Sequence, residues 1–281
     1  MDLIVFLAVL SAAVMHAGWN AVVRAGGDRF ASILLLSMTQ SWLALVLLPF
    51  VATPAAPAWP WIAGASLLHT GYKLFLIRAY QHGDLSQVYP LARGAAPPMV
   101  ALGGVVLLHE QLHPTGWLAV AAIAVGVALM AFRGGVGFTR LPGKALAYAL
   151  VTACFVAAYT LADGAGARIA RTATGFAMWM FVGDGLAMLT YALATRGAAG
   201  AARIVLPAWR TGLPAGALSL GSYWIALWAF TQAPVALVAA LRETSVLFAM
   251  LIATVVLKEQ AGRWRWAAGL CICAGVVLMR L

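Results

Sequence analysis

Charge is what this sequence has least of. Only 9% of its 281 residues are charged, against about a quarter in an ordinary soluble domain. Acidic residues are scarcer still, 8 Asp and Glu against 18 Lys and Arg. With 64% hydrophobic residues, the polar groups are too few to cover a water-exposed surface. A bilayer lifts that requirement, because acyl chains solvate apolar side chains. Cysteine is also scarce: Cys154, Cys271 and Cys273 all lie inside apolar runs. Two positions apart on a helix, Cys271 and Cys273 would project about 200° apart and share no ligand, so they read as small packing residues. No basic segment precedes the first apolar run, only Asp2. That run is too long for a signal sequence and reads as a membrane span. Gly134-Gly135-x-Gly137 lacks the strand-to-helix setting of a phosphate loop and reads as a linker. No metal or other cofactor is expected.

What is present is a series of apolar runs, each near the roughly 20 residues that a spanning helix needs. Ten qualify, near 3–23, 30–50, 59–80, 85–108, 115–132, 142–163, 173–195, 212–231, 233–257 and 265–280. Turn residues separate them: Gly26-Gly27-Asp28, Pro54 to Pro60, Gly83-Asp84, Gly134-Gly135, Pro142-Gly143 and Gly197 to Pro207. The runs are continuous rather than alternating, which favours helices over a barrel. The net charge of +10 sits mainly in the short loops, where it sets topology and meets anionic lipid; no nucleic-acid partner is expected. Arg24, Arg29, Arg78, Arg133, Arg140, Lys144, Arg196, Arg203, Arg210, Lys258, Arg263 and Arg265 fall on one side of a ten-span topology. Only Arg168, Arg171 and Arg280 fall on the other. The richer side is cytoplasmic by the positive-inside rule, which places both termini outside a plasma (inner) membrane crossed many times.

The chain also repeats. A shift of 149 residues carries Arg93 onto Arg242, Glu110-Gln111 onto Glu259-Gln260, Trp117 onto Trp266 and Gly126-Val127 onto Gly275-Val276. Gly71-Tyr72 resembles Ser222-Tyr223 after a small gap. The halves are 1–133 and 142–281, with five spans each. Five is odd, so the second copy is inverted in the membrane. The expected fold is all-α: ten transmembrane helices in two inverted five-helix repeats around a central cavity, the architecture of secondary transporters.

Ionisable residues deep in a span face a cavity or a partner. His16, Trp19 and Asn20 share a helix face, as do His69, Tyr72 and Lys73; Tyr89 and Arg93 are four apart. With Tyr223, Trp224 and Arg242 they form the candidate substrate site, suited to an amphipathic solute with an aromatic or cationic part. Arg93 and Arg242 stay charged when buried. They could hold a substrate carboxylate, or pair with Asp184 and Glu243 to lock helices together. Asp184 and Glu243 are the candidates for proton coupling, protons being the expected coupling ion. Pro90, Pro97 and Pro98 interrupt the fourth span and kink it.

One motif argues for another class. His109-Glu110-Gln111-Leu112-His113 matches the zinc-hydrolase signature H-E-x-x-H, which needs both histidines on one helical face. Pro114 follows directly and disfavours helix at His113. The repeat copy, Lys258-Glu259-Gln260, lacks the histidines. An intramembrane zinc hydrolase is therefore the alternative to a transporter.

LLHEQLHPTGWLAVAAIAVGVALM and VLKEQAGRWRWAAGLCICAGVVLM resemble the closing stretch of each half in EamA-type members of the drug/metabolite transporter superfamily. SYWIALWAFTQAPVALVAALRETSVLFAMLIATVVLKEQ is similar to the same family. The resemblance covers most of the chain, most clearly its second half. It implies a helical basket around a central cavity, and export or exchange of small metabolites such as amino acids, or of organic cations, by alternating access.

Overall fold

A computed structural model describes the chain except residues 25–27, 84, 133–141, 256–257, 259–261 and 281. The expected turns at 26–27, 84 and 134–137, with Arg133, Arg140, Glu259 and Gln260, lie outside the described residues. All regular structure among the described residues is helical. The helices are α1 Leu3–Arg24, α2 Arg29–Leu47, α3 Trp59–His82, α4 Leu85–Leu107, α5 Pro114–Phe132, α6 Gly143–Ile169, α7 Ala173–Phe230, α8 Val235–Arg242, α9 Ser245–Val255 and α10 Arg263–Leu278.

Local chemistry sets several boundaries. Asp28 caps α2, its side chain accepting from the backbone N–H of Phe30 at 2.9 Å and of Ala31 at 3.2 Å. Thr172 caps α7 through Gly175 N–H at 3.0 Å. Pro114, whose missing N–H would be unpaired anyway, opens α5. Among the described residues, six stretches are long and apolar enough to cross a bilayer. One of them, α7, runs for 58 residues, more than two bilayer thicknesses. It is interrupted at Gly197, where φ is 68° and ψ 170°. Glycine takes that backbone geometry without a Cβ penalty. Trp224 Nε1 donates to Thr174 Oγ1 at 3.0 Å, so the two limbs of α7 lie side by side. The loop expected from Gly197 to Pro207 is thus helical beyond Gly197, as its alanine-rich start favours.

Small residues let the helices approach closely. α2 packs on both limbs of α7, with Ser41 against Gly185 and Thr39 against Gly216. α5 and α10 pack reciprocally. A Cβ at Gly126 would meet Ile272 Cγ1 at 2.7 Å and Ala268 O at 2.9 Å; one at Gly275 would meet Ile123 Cγ1 at 2.6 Å and Ala119 O at 2.8 Å. Each partner on one helix is the 149-residue counterpart of its partner on the other. His109 and Lys258, also 149 apart, share the same left-handed φ of 54°. The two ends of the chain meet, Arg280 Nη1 donating to Met1 O at 2.9 Å. The outer surface is strewn with exposed Leu, Ile and Val, and Trp59, Trp61, Trp264 and Trp266 are exposed near helix starts, as in a protein bathed in lipid with an interfacial aromatic belt. The chain is a membrane-integral helical protein.

Candidate functional site

The interior carries two clusters of polar side chains that a lipid-immersed core holds only when they are paired. The first begins at the break between α8 and α9. α8 ends at Arg242, and the span resumes at Ser245 after a tight turn in which Glu243 N–H reaches Ala240 O at 3.0 Å and Thr244 N–H reaches Leu241 O at 3.1 Å. Across from it, α4 carries Arg93 four residues before Pro97. Proline has no N–H for the Arg93 carbonyl, so the ladder is interrupted there too. Both arginines related by the repeat therefore sit at a break in a membrane helix, where backbone polar groups are left for other partners.

Arg93 Nε donates to Glu243 Oε2 at 2.9 Å, and both side chains are buried. Beside them, the Arg242 guanidinium lies 4.6 Å from the centroid of the Tyr223 ring. Tyr223 Oη donates to Asp163, whose Oδ2 also meets His69 Nε2 at 2.8 Å. The His69 ring stacks on Tyr159 at 4.0 Å, and Tyr72 meets Tyr159 edge-on at 5.6 Å. Five helices, α3, α4, α6, α7 and α8, thus converge on one chain of contacts running from Glu243 to Tyr72. A cavity opens between Arg93, Pro97, Val100, Val156, Tyr159, Thr160, Ala239, Arg242 and Glu243. It has room for little more than a water molecule.

The second cluster lies where α3 meets α2 and the first limb of α7. Lys73 Nζ pairs with Asp184 and donates to Ser37 Oγ at 2.7 Å, while Thr70 Oγ1 donates to Asp184 Oδ1 at 3.1 Å. His69 and Lys73, one turn apart on α3, reach one into each cluster.

The remaining candidate residues have these places. His16 is buried with Trp19 edge-on to its ring at 4.9 Å, and Asn20 spends its amide on His16 O at 2.8 Å. Tyr89 is half-buried one turn before Arg93. Trp224, expected in the same site, is 36% exposed and donates to Thr174 rather than joining the contacts of the ring cluster. Consecutive helical residues diverge by about 100°, so burying Tyr223 turns Trp224 outward. The structure also brings in two residues that the reading of the spans passed over, Asp163 and Tyr159. The sixth run was closed at 163, which made Asp163 an edge residue. α6 continues to Ile169, so Asp163 is interior and 0% exposed. Its spacing of four from Tyr159 is the same signal that singled out Tyr89 with Arg93.

Glu110 has a different job from the one that H-E-x-x-H proposes. Residues 109–113 are not helical, and His109 has the left-handed φ of 54°, so no helical face presents two histidines. Glu110 instead accepts Val235 N–H at 2.9 and 3.0 Å, at the start of α8. It also pairs with Arg168 Nη2 at 2.6 Å. Arg168 in turn donates to Phe230 O at 2.9 Å and Ala233 O at 3.2 Å. No group of three metal-binding side chains occurs among the described residues.

Residues 143–281 match the profile of the EamA-like transporter family. A solved crystal structure superposes on the whole molecule with a TM-score of 0.73, covering 98% of this chain and 95% of its own at 17% identity; that likeness shows the fold alone. No curated protein matches.

Proposed function

We propose a secondary active transporter of the drug/metabolite type, on the match of residues 143–281 to the profile of the EamA-like transporter family. It moves small amphipathic organic metabolites, such as amino acids, or organic cations across a cell's inner membrane, in the export direction, by alternating access. The observation that carries this reading is the buried Arg93–Glu243 pair beside Arg242, set at two helix breaks and lining an interior cavity. Discontinuous helices at a repeat interface are where such proteins bind substrate.

The architecture that fits is ten spans in two inverted halves, 1–133 and 142–281. α7 supplies two spans, folded at Gly197, and α8 with α9 supplies one. The reciprocal Gly126 and Gly275 contacts, the matched φ of His109 and Lys258, and the meeting of the termini support it. α3 is less apolar than its neighbours because it carries His69, Tyr72 and Lys73 into the interior. Glu243 and Asp184, each held by a cation, are the proposed proton-coupling carboxylates: a proton on either releases its partner. His16, Trp19, His69, Tyr72, Tyr89 and Tyr223 complete the substrate surroundings. Nothing observed favours the zinc-hydrolase alternative.

Proteoliposomes holding the purified protein test this. Saturable uptake of at least one compound from a panel of amino acids, organic acids and organic cations is expected, driven by a proton gradient and weakened by Tyr159→Ala but not by Trp224→Ala. Absence of saturable uptake across the panel overturns it.

A further inference from the structure

The central cluster leaves specific hydrogen-bonding capacity unused. Among the described residues, Arg93 Nη2 and Arg242 Nε are buried with no hydrogen-bond partner. Both side chains line the same cavity, and Arg93 is 3% and Arg242 6% exposed. A guanidinium cannot shed its charge by losing a proton, and a buried N–H left unpaired is costly. These two donors belong to repeat-related arginines that approach the cavity from opposite sides, α4 and α8.

We infer that Arg93 and Arg242 form a carboxylate subsite in which a substrate carboxylate bridges Arg93 Nη2 and Arg242 Nε, and that Glu243 is the internal anion it competes with. Glu243 already supplies a carboxylate to Arg93 at 2.9 Å from the wall of the same cavity. It shows what this guanidinium accepts, and it stands where an external carboxylate must share or displace it. The rest of the cavity wall is apolar or aromatic: Pro97, Val100, Val156, Ala239 and the Tyr159 ring. The cavity as it stands holds little more than a water molecule, so it must widen along this apolar wall for the body of a small organic acid to enter, as the alternating access of the transport reading requires. Asp163, the other carboxylate of the cluster, holds His69 and Tyr223 through Oδ2, leaves Oδ1 unpaired, and is not part of the cavity wall. An organic cation would meet two guanidinium groups against the single Glu243 carboxylate in the cavity, and the net like charge in a poorly hydrated site repels it. The subsite rests on the transporter reading but narrows it: acids enter and pure cations do not.

The test uses acid and amide pairs of matched shape: propionate with propionamide, benzoate with benzamide, and L-phenylalanine with L-phenylalaninamide, plus benzyltrimethylammonium. Binding to the purified full chain is measured by calorimetry and uptake by proteoliposomes. At least one acid is expected to bind roughly tenfold or more tightly than its amide, as loss of a charge-assisted hydrogen bond implies. Preference confined to phenylalanine identifies an amino-acid carboxylate; preference shared by propionate or benzoate identifies a simple organic acid. Arg242→Gln should abolish the preference, with Arg93→Lys as a second variant because Arg93→Gln strands Glu243. Glu243→Gln should tighten acid binding severalfold, an effect that a purely structural ion pair does not produce. Equal handling of acid and amide with uptake intact, uptake of benzyltrimethylammonium that Arg242→Gln leaves unchanged, or weakened acid binding in Glu243→Gln overturns the subsite alone. No saturable uptake of any compound overturns the transport reading beneath it.

Discussion

Gly126 on α5 and Gly275 on α10 face each other's helices, each against an isoleucine and a backbone carbonyl of the other. Replacing either by alanine places a methyl group within 3 Å of a carbonyl oxygen that cannot move independently. Overpacking of this kind costs about 1–3 kcal/mol. Gly126→Ala and Gly275→Ala should lower the melting temperature of the detergent-solubilised protein by similar amounts. Gly64→Ala, with nothing within 4 Å of the new methyl, should leave it unchanged or slightly raised, since alanine is the better helix former. A large difference between the two interface variants would show that the α5–α10 packing is not reciprocal.

Glu110 ties the start of α8 to the end of α6. Glu110→Ala removes a helix-end acceptor for Val235 N–H and leaves Arg168 with only its two backbone acceptors, Phe230 O and Ala233 O, so destabilisation of roughly 1–3 kcal/mol is expected. Thermal melting measures it. Glu110→Gln, which keeps one acceptor oxygen, should fall between. Stoichiometric zinc in the purified protein that disappears with His109→Ala would instead restore the hydrolase reading.

Lys73 and Asp184 form a buried pair, so breaking it from one side leaves an uncompensated charge. Lys73→Met or Asp184→Asn alone should cost about 3–5 kcal/mol, and the double variant less than the sum of the two. The same variants separate structure from coupling. If Asp184 carries the proton, folded Asp184→Asn protein loses gradient-driven accumulation but keeps substrate exchange. Loss of both activities in protein with normal melting would assign Asp184 to substrate binding.

The termini meet through Arg280 and Met1, so they lie at one end of the bundle. On the positive-inside rule, the loop arginines and lysines predict that end to be outside the cell. A C-terminal reporter active only in the cytoplasm should be silent, and one active only outside should signal. The reverse result inverts the orientation and leaves the fold untouched.

Much of the candidate site was legible in the chain because it rests on local spacing. His69, Lys73, Arg93, Arg242 and Glu243 were identifiable as ionisable groups inside apolar runs, and the 149-residue shift tied Arg93 to Arg242. Asp163 and Tyr159 were not, because a hydropathy window closes where polarity rises, and α6 carries its carboxylate past that point. The exposure of Trp224 was not legible either, because proximity to Tyr223 in sequence does not fix which way a helix is rotated.

The composition alone determined that this chain lives in a bilayer, and its turn residues determined roughly where each run begins and ends. Both are local properties: transfer of apolar side chains to lipid, and backbone preferences of glycine and proline. Which charge meets which was decided only in three dimensions. Arg93 takes Glu243, 150 positions away, while Asp184 goes to Lys73, 111 positions away. The rotation of each helix about its own axis is set by close packing at small residues such as Gly126, Gly185 and Gly275, and only that rotation turns side chains from separate spans toward one cavity.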